Sequence, residues 1–312
     1  MPNYANVAKS ILTDTFADAG LLPPESAKQF LDETYETTAL RQQIRHEVRT
    51  SKTGYIDRIG INGRILRESH ENYDDGERAG VYTSQLRYET TDARLTFEIS
   101  RDTLRQNIER DALESHINNL MTGQAGRDLE DLSINGDEAV SESDPDYKFL
   151  KINTGFKKQI LTGGNVYDVQ NINGGAMSID TFYKGAMKID SKYLDPKMRW
   201  MMSPRRKMEW DRVLNAQGIS VGGFAAERFY NNPASYPVIE IPKLDDNTIL
   251  FTDPKNLIEI STYFVSLEKD AKSRDAIYKQ MVYYAMHLDV DFIIEELRAT
   301  LAITGLANLN AA

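Results

Sequence analysis

The residues most able to do chemistry are four histidines, His46, His70, His116 and His287. No two of them have the spacing of paired helical metal ligands. His70-Glu71 is followed by Asp74 where a zinc-protease motif requires a second histidine. Cysteine is absent, which excludes disulfides, thiolate metal sites and cysteine nucleophiles. The glycine clusters "LTGGN", "NINGGAM" and "SVGGF" match neither a dinucleotide loop nor a phosphate loop with its lysine. There is no Gly-x-Ser-x-Gly elbow, and "DLEDLSINGDE" lacks the oxygen-ligand order of a calcium loop. Adjacent carboxylates occur at Asp74-Asp75, Asp245-Asp246 and Glu295-Glu296. Such pairs arise by chance among 47 acidic residues, and they are expected to be solvated surface. His46 and His287 lie on patterned strands, where a hydrogen-bonded structural role is expected. No catalytic, cofactor-binding or metal-binding residue is assigned.

One stretch remains, "RWMMSPRRKMEWDRVLNAQG", residues 199–218. "RWMM" reads as a short buried strand anchored by Trp200. Ser203 is an N-cap, and Pro204 takes the first helical position, where proline is tolerated. Trp210, Val213 and Leu214 form the helix's inner face. Arg205, Arg206 and Lys207 then fall in the first turn, where the helix dipole disfavours cations. That misplacement points to a partner, and an intersubunit contact is the expectation. Without interleaved aromatics the trio is a poor nucleic-acid signal.

The elements that would position these residues follow from periodicity. Helical spacing covers residues 4–19 and about 26–41, a front end expected to lie on something else. Ile44, His46, Val48 and Thr50 alternate with polar residues as a half-buried strand. Asn62-Gly63 supplies the positive φ values of a tight hairpin turn, so residues 54–90 read as a hairpin-rich excursion with little core. A strand at 93–99 precedes a long helix over about 102–132, which Gly123 and Gly126 should weaken. Further helices are expected at 178–191 and 203–215, with a buried strand at "TILFT" and strands from Leu257 onward. Val282, Tyr284, Met286, Leu288 and Val290 share one face. The net charge of −10 disfavours nucleic-acid binding. No basic-then-apolar leader and no membrane-length apolar run occurs, which predicts a soluble chain of intracellular origin.

Taken in order, the arm, the excursion, the long helix ending in "LEDLSINGD", the "WMMSP" corner followed by "LNAQG", and "ILFTDPKNLIEI" resemble the major capsid proteins of tailed bacteriophages. These share the Hong Kong-type shell fold with encapsulins. The resemblance implies an α+β subunit with an N-terminal arm at 1–41, a peripheral-domain strand at 42–53 and an extended loop at 54–90. It implies a peripheral domain with its spine helix at 91–140, an axial domain at 141–255 and peripheral strands at 256–290. Residues 291–312 would return to the axial domain.

It further implies a non-enzymatic virion protein, assembled in the host cytoplasm as hexamers and pentamers around double-stranded DNA. The genome would be touched only by weak non-specific contact, and no membrane is involved. A separate scaffolding protein, a portal protein and a decoration protein would be partners. Arg58, Asn62, Gly63, Arg64 and Arg67 of the loop join Arg205, Arg206 and Lys207 as assembly candidates. Some relatives cross-link through a loop lysine, yet no lysine lies between Lys52 and Lys148. An encapsulin shell, a soluble hydrolase and a phage tail or head-completion protein are the competing functions.

Overall fold

The computed structural model describes residues 20–21, 31–32, 34–35, 38–61, 66, 80–101, 111–216 and 232–309. Two sheets carry the body. The first contains β1 (Gly20–Leu21), β2 (Arg45–Arg49), β5 (Thr91–Ser100), β10 (Leu257–Thr262), β11 (Ser266–Asp270) and β12 (Met281–Ile294). The fourteen residues of β12 serve three antiparallel partners: β5 along 281–290, β11 along 283–287 and β10 along 290–294. β2 pairs with β10 in parallel, Ile258 opposite Arg45.

The burial of β12 explains its sequence. Val282, Tyr284 and Leu288 are buried on one face with Met286 half-buried between them, the alternation expected of a one-sided strand. From Leu288 to Ile294 every residue is buried, because both faces are covered there. Leu288, Val290, Phe292 and Ile294 pack against helix α1 (Asp111–Asn135) through Leu129 and Leu132, and against Phe156 and Ile160. Ile293, on the other face, joins Ile258, Ile260, Ile56 and Tyr88. Helix α1 is the expected long helix. It runs unbroken through Gly123 and Gly126 and ends at Asn135, because Ala125, Leu129 and Leu132 bury a stripe that outweighs the cost of two glycines. Its expected start near 102 lies outside the described residues. After α2 (Tyr147–Leu150), α3 (Phe156–Gly163) lies in this same core and not in a separate one.

The second sheet has the order β6-β13-β9-β7-β8, from β6 (Asn165–Asp168), β7 (Arg199–Met202), β8 (Val238–Glu240), β9 (Ile249–Thr252) and β13 (Leu301–Thr304). Its core is aromatic. Trp200 stacks on Phe251 at 4.0 Å, and Phe182 of α4 (Ile179–Ala186) sets its edge against Trp200 and against Trp210 of α5 (Pro204–Ala216). Trp200 Nε1 donates to Pro233 O at 2.9 Å, so the buried indole is satisfied. Helix α4 stops at Ala186, short of the expected 191, because the chain turns back to bury Ile189.

Two strand connections join the sheets, β9 to β10 and β12 to β13. Asn256 clamps them together: it accepts from Glu296 N at 2.8 Å, donates to Glu296 O at 3.0 Å, and its carbonyl accepts from Glu295 N at 2.9 Å. This paired crossing is the neck of the molecule.

Candidate assembly surface

A two-stranded ribbon projects from the first sheet. β3 (Thr53–Ile61) and β4 (Val81–Glu89) pair antiparallel from Thr53 opposite Glu89 to Ile61 opposite Val81. The ribbon's register fixes its two faces, since directly opposed residues point the same way. Ile56, Leu86, Arg58, Ser84, Gly60 and Tyr82 share the face toward the body. Tyr55, Asp57, Ile59, Gln85 and Val81 share the other, on which Tyr55, Ile59 and Val81 are 58%, 76% and 65% exposed. A two-stranded ribbon with an apolar outer face is marginal alone in water. Tyr82 covers Gly60: a Cβ there would lie 2.5–2.7 Å from the end of the tyrosine side chain, which would have to shift.

The ribbon's root does have a core, contrary to the expectation for 54–90. Ile56 and Tyr88 are each 4% exposed against Ile258, Ile260 and Ile293. Two acidic residues of β12 hold the same root. Asp289 pairs with Lys52 at 2.8 Å and accepts from Thr262 Oγ1 at 2.8 Å. Asp291 accepts from Glu89 N at 2.9 Å, Asn153 Nδ2 at 3.2 Å and Phe292 N at 2.8 Å. Burial nonetheless pushes the Asp291 carboxyl upward, against those hydrogen bonds. Sequence reasoning missed both, although acidic residues at alternate positions of the apolar run "HLDVDFII" are a signal for paired polar contacts on one face.

Arg58 is the loop candidate the structure describes, and its partners are internal. Its guanidinium reaches Glu296 at 3.1 Å and Glu295 at 3.6 Å, while Arg45 holds Glu295 at 2.9 Å. Glu295-Glu296 is therefore an ion-pairing site and not the idle solvated pair expected. Asn62, Gly63, Arg64 and Arg67 lie outside the described residues, and β3 pairs with 81–89 instead of with the residues just after Asn62-Gly63.

The basic trio divides. Ser203 caps α5 as expected, accepting from Arg206 N at 3.2 Å and donating to Asp246. Arg205 is exposed and pairs with Asp246 at 2.9 Å. Arg206 is fully buried: it donates to Asp246 O at 2.7 Å and Ala307 O at 2.8 Å and pairs with Glu209. Lys207 is buried against Asp211 at 2.6 Å. The cations of Arg206 and Lys207, both expected to serve an intersubunit contact, are paired inside the chain, and Arg205 is the one of the three exposed at the surface. The acid at the helix start, Asp246, answers the dipole problem that the sequence raised. Asp245 is also structural, paired with Lys157 at 2.9 Å, which holds its carboxyl low despite partial burial.

The described residues between Leu31 and Arg41 dock on the body of the same chain. Arg41 and Glu259 form a bidentate pair, Nη2 to Oε1 at 2.6 Å and Nε to Oε2 at 3.0 Å, with side chains 0% and 1% exposed. Arg41 Nη1 also donates to Thr34 O at 2.7 Å. Tyr35 stacks on His46 at 3.7 Å, and His46 Nε2 meets Arg41 O at 2.6 Å. Leu31, Thr34, Tyr35 and Leu40 are buried too, so this part of the front end lies on the body of its own chain. Burial drives the Tyr35 phenol up and the His46 imidazole down. Among the described residues no cluster of histidine and acidic side chains could hold a metal, and no helix is long and apolar enough to cross a membrane.

The fold as a whole is similar to chains of solved shells. A chain of the satellite phage P4 procapsid that includes the size-determination protein Sid matches with a TM-score of 0.70 and 13% identity over 98% of both chains. A chain of the empty GTA particle's capsid matches at 0.60 and 14%, over 87% of this chain and 91% of its own. A chain of the holo-SrpI encapsulin complex of Synechococcus elongatus PCC 7942 matches at 0.55 and 9%, over 86% of each. The chain has the Hong Kong-type shell fold of phage capsids and encapsulins. In sequence it is 26% identical to YqbE of Bacillus subtilis (strain 168), named as a prophage capsid protein, over 95% of this chain and 96% of that one. No family model matches the chain.

Proposed function

We propose that this chain is a major capsid subunit, a structural protein that self-assembles into the icosahedral head shell of a tailed phage or prophage around its double-stranded DNA. The observation that carries this is the end-to-end likeness to a prophage capsid protein, joined to a shell fold over the same length. The exposed apolar face of the ribbon supports it, since Tyr55, Ile59 and Val81 gain burial only against another surface. The sequence relative favours the phage shell over an encapsulin, whose fold is the same.

In this reading the subunit forms hexamers and pentamers in the host cytoplasm and resides in the virion. A separate scaffolding protein directs closure, with portal and decoration proteins as further partners. The ribbon and the exposed Arg205 contact neighbouring subunits, and Arg64 and Arg67 remain assembly candidates by sequence. Co-expression with the scaffolding protein encoded beside it should give closed particles of uniform diameter by negative-stain microscopy. A species that stays monomeric by light scattering, with and without that partner, would overturn the proposal.

A further inference from the structure

The ribbon leaves the body through three attachments of unequal kind. Two are deep: Asp289 on Lys52 and Asp291 on the Glu89 amide, both acids under a tenth exposed, with Ile56 and Tyr88 packed between them. The third is Arg58, two residues beyond Ile56, whose ion pairs with Glu295 and Glu296 have every side chain about a third exposed. Among the described residues of the ribbon past Ile56, Arg58 is the side chain that reaches back to the body with ion pairs. Glu295 and Glu296 are not free carriers, because both their amides are bound by Asn256 at the neck between the sheets.

We propose that Arg58 is a positioning residue: its pairing with Glu295 and Glu296 latches the ribbon's exit angle to the neck. With the latch closed, the ribbon's direction follows the relative setting of the two sheets. With it open, the segment beyond Ile56 swings about the deep attachments while the fold stays intact. The latch is exposed enough to open and close without unfolding, which the buried acids cannot do. An element aimed this way presents its apolar outer face in one direction only when the neck is in register.

The chain has no cysteine, so two introduced ones carry spin labels without background. Thr83→Cys on the ribbon's outer face and Thr162→Cys on α3 of the body serve. The distance distribution between labels is measured on dispersed subunits, so the outcome does not depend on shell formation. The parent should give one narrow population. Arg58→Ala, and Glu295→Gln with Glu296→Gln, should each broaden it about twofold with an unchanged melting temperature. Raising salt to 1 M should broaden the parent likewise, since exposed pairs are screened within about 3 Å. Exchanging the charges, Arg58→Glu with Glu296→Arg, should narrow it again. An Arg58→Ala distribution as narrow as the parent's would overturn the proposal. So would broadening that comes with a lowered melting temperature, because Arg58 would then belong to the fold.

Discussion

Replacing Glu259 by glutamine removes one charge from a fully buried ion pair while keeping the side chain's shape. Arg41 donates two hydrogen bonds to the carboxylate and a third to Thr34 O. Glutamine offers one acceptor oxygen, and its amide group turns hydrogen toward a guanidinium that also carries only hydrogen. One charge-assisted bond is lost, about 1.5–3 kcal/mol, and the guanidinium is left without its paired carboxylate at 0% exposure. Breaking a buried pair in this way costs about 3–5 kcal/mol. For a chain of 312 residues melting as one unit, that is a fall in Tm of about 5–8 °C. Urea unfolding of dispersed subunits should be followed by far-UV circular dichroism. Tryptophan fluorescence reports the wrong sheet, because Trp200 and Trp210 both lie in the second core. The double variant Arg41→Met with Glu259→Leu should recover parental stability, since an apolar pair of similar volume leaves no buried charge behind. A Glu259→Gln variant within about 1 kcal/mol of the parent would refute the reasoning. A double variant as unstable as the single one would refute it as well.

Replacing residues 58–84 with a short Gly-Ser linker should leave the subunit folded and abolish closed particles by microscopy, because Ile56, Leu86 and Tyr88 stay in place. By contrast Ile56→Ala should cost about 2–5 kcal/mol in urea unfolding, the price of a core cavity. The folded pKa of His46 lies below its unfolded value of about 6.5, so its contribution is present above that pH and lost as pH falls through the folded value. The stability difference between parent and His46→Gln should therefore change between pH 7 and 5, by up to about 1.4 kcal/mol per pH unit, and a flat difference would exclude the effect. Particles boiled in denaturing detergent should run as one band near 35.4 kDa, because residues 53–147 contain no lysine for a loop cross-link; a ladder would refute this.

Local chemistry was legible in the sequence wherever neighbours in the chain decide it. The Ser203-Pro204 helix start, the Trp200 anchor and the alternation of β12 each depend on a few adjacent residues. The pairing of 53–61 with 81–89 was legible only as an excursion, because its register is fixed across a long connection. The ion-pair partners were not legible. Arg58 meets Glu295 and Glu296 more than two hundred residues away, and Arg41 meets Glu259 at similar remove. Composition offers 47 acidic residues as candidates and no means of choosing among them. Burial of Arg206 was hidden for a related reason: Glu209 nearby supplies its counter-charge, but its remaining donors are satisfied by the distant carbonyls of Asp246 and Ala307.

The pairing pattern also sets when the subunit can exist during synthesis. β1 waits for β11, β2 for β10 and β5 for β12, each partner emerging 150 or more residues later. In the second sheet β6 waits for β13, which also completes β9. A nascent chain therefore carries the paired β3 and β4 long before any platform exists to aim them: the first sheet closes only once residue 294 has left the ribosome, and the second only at residue 304. Such non-local pairing makes folding slow, since long loops must close before contacts reward them. It also means that the two sheets, the neck and the latched ribbon come into being together, so crowded polysomes hold chains that have no surface yet for recognising one another.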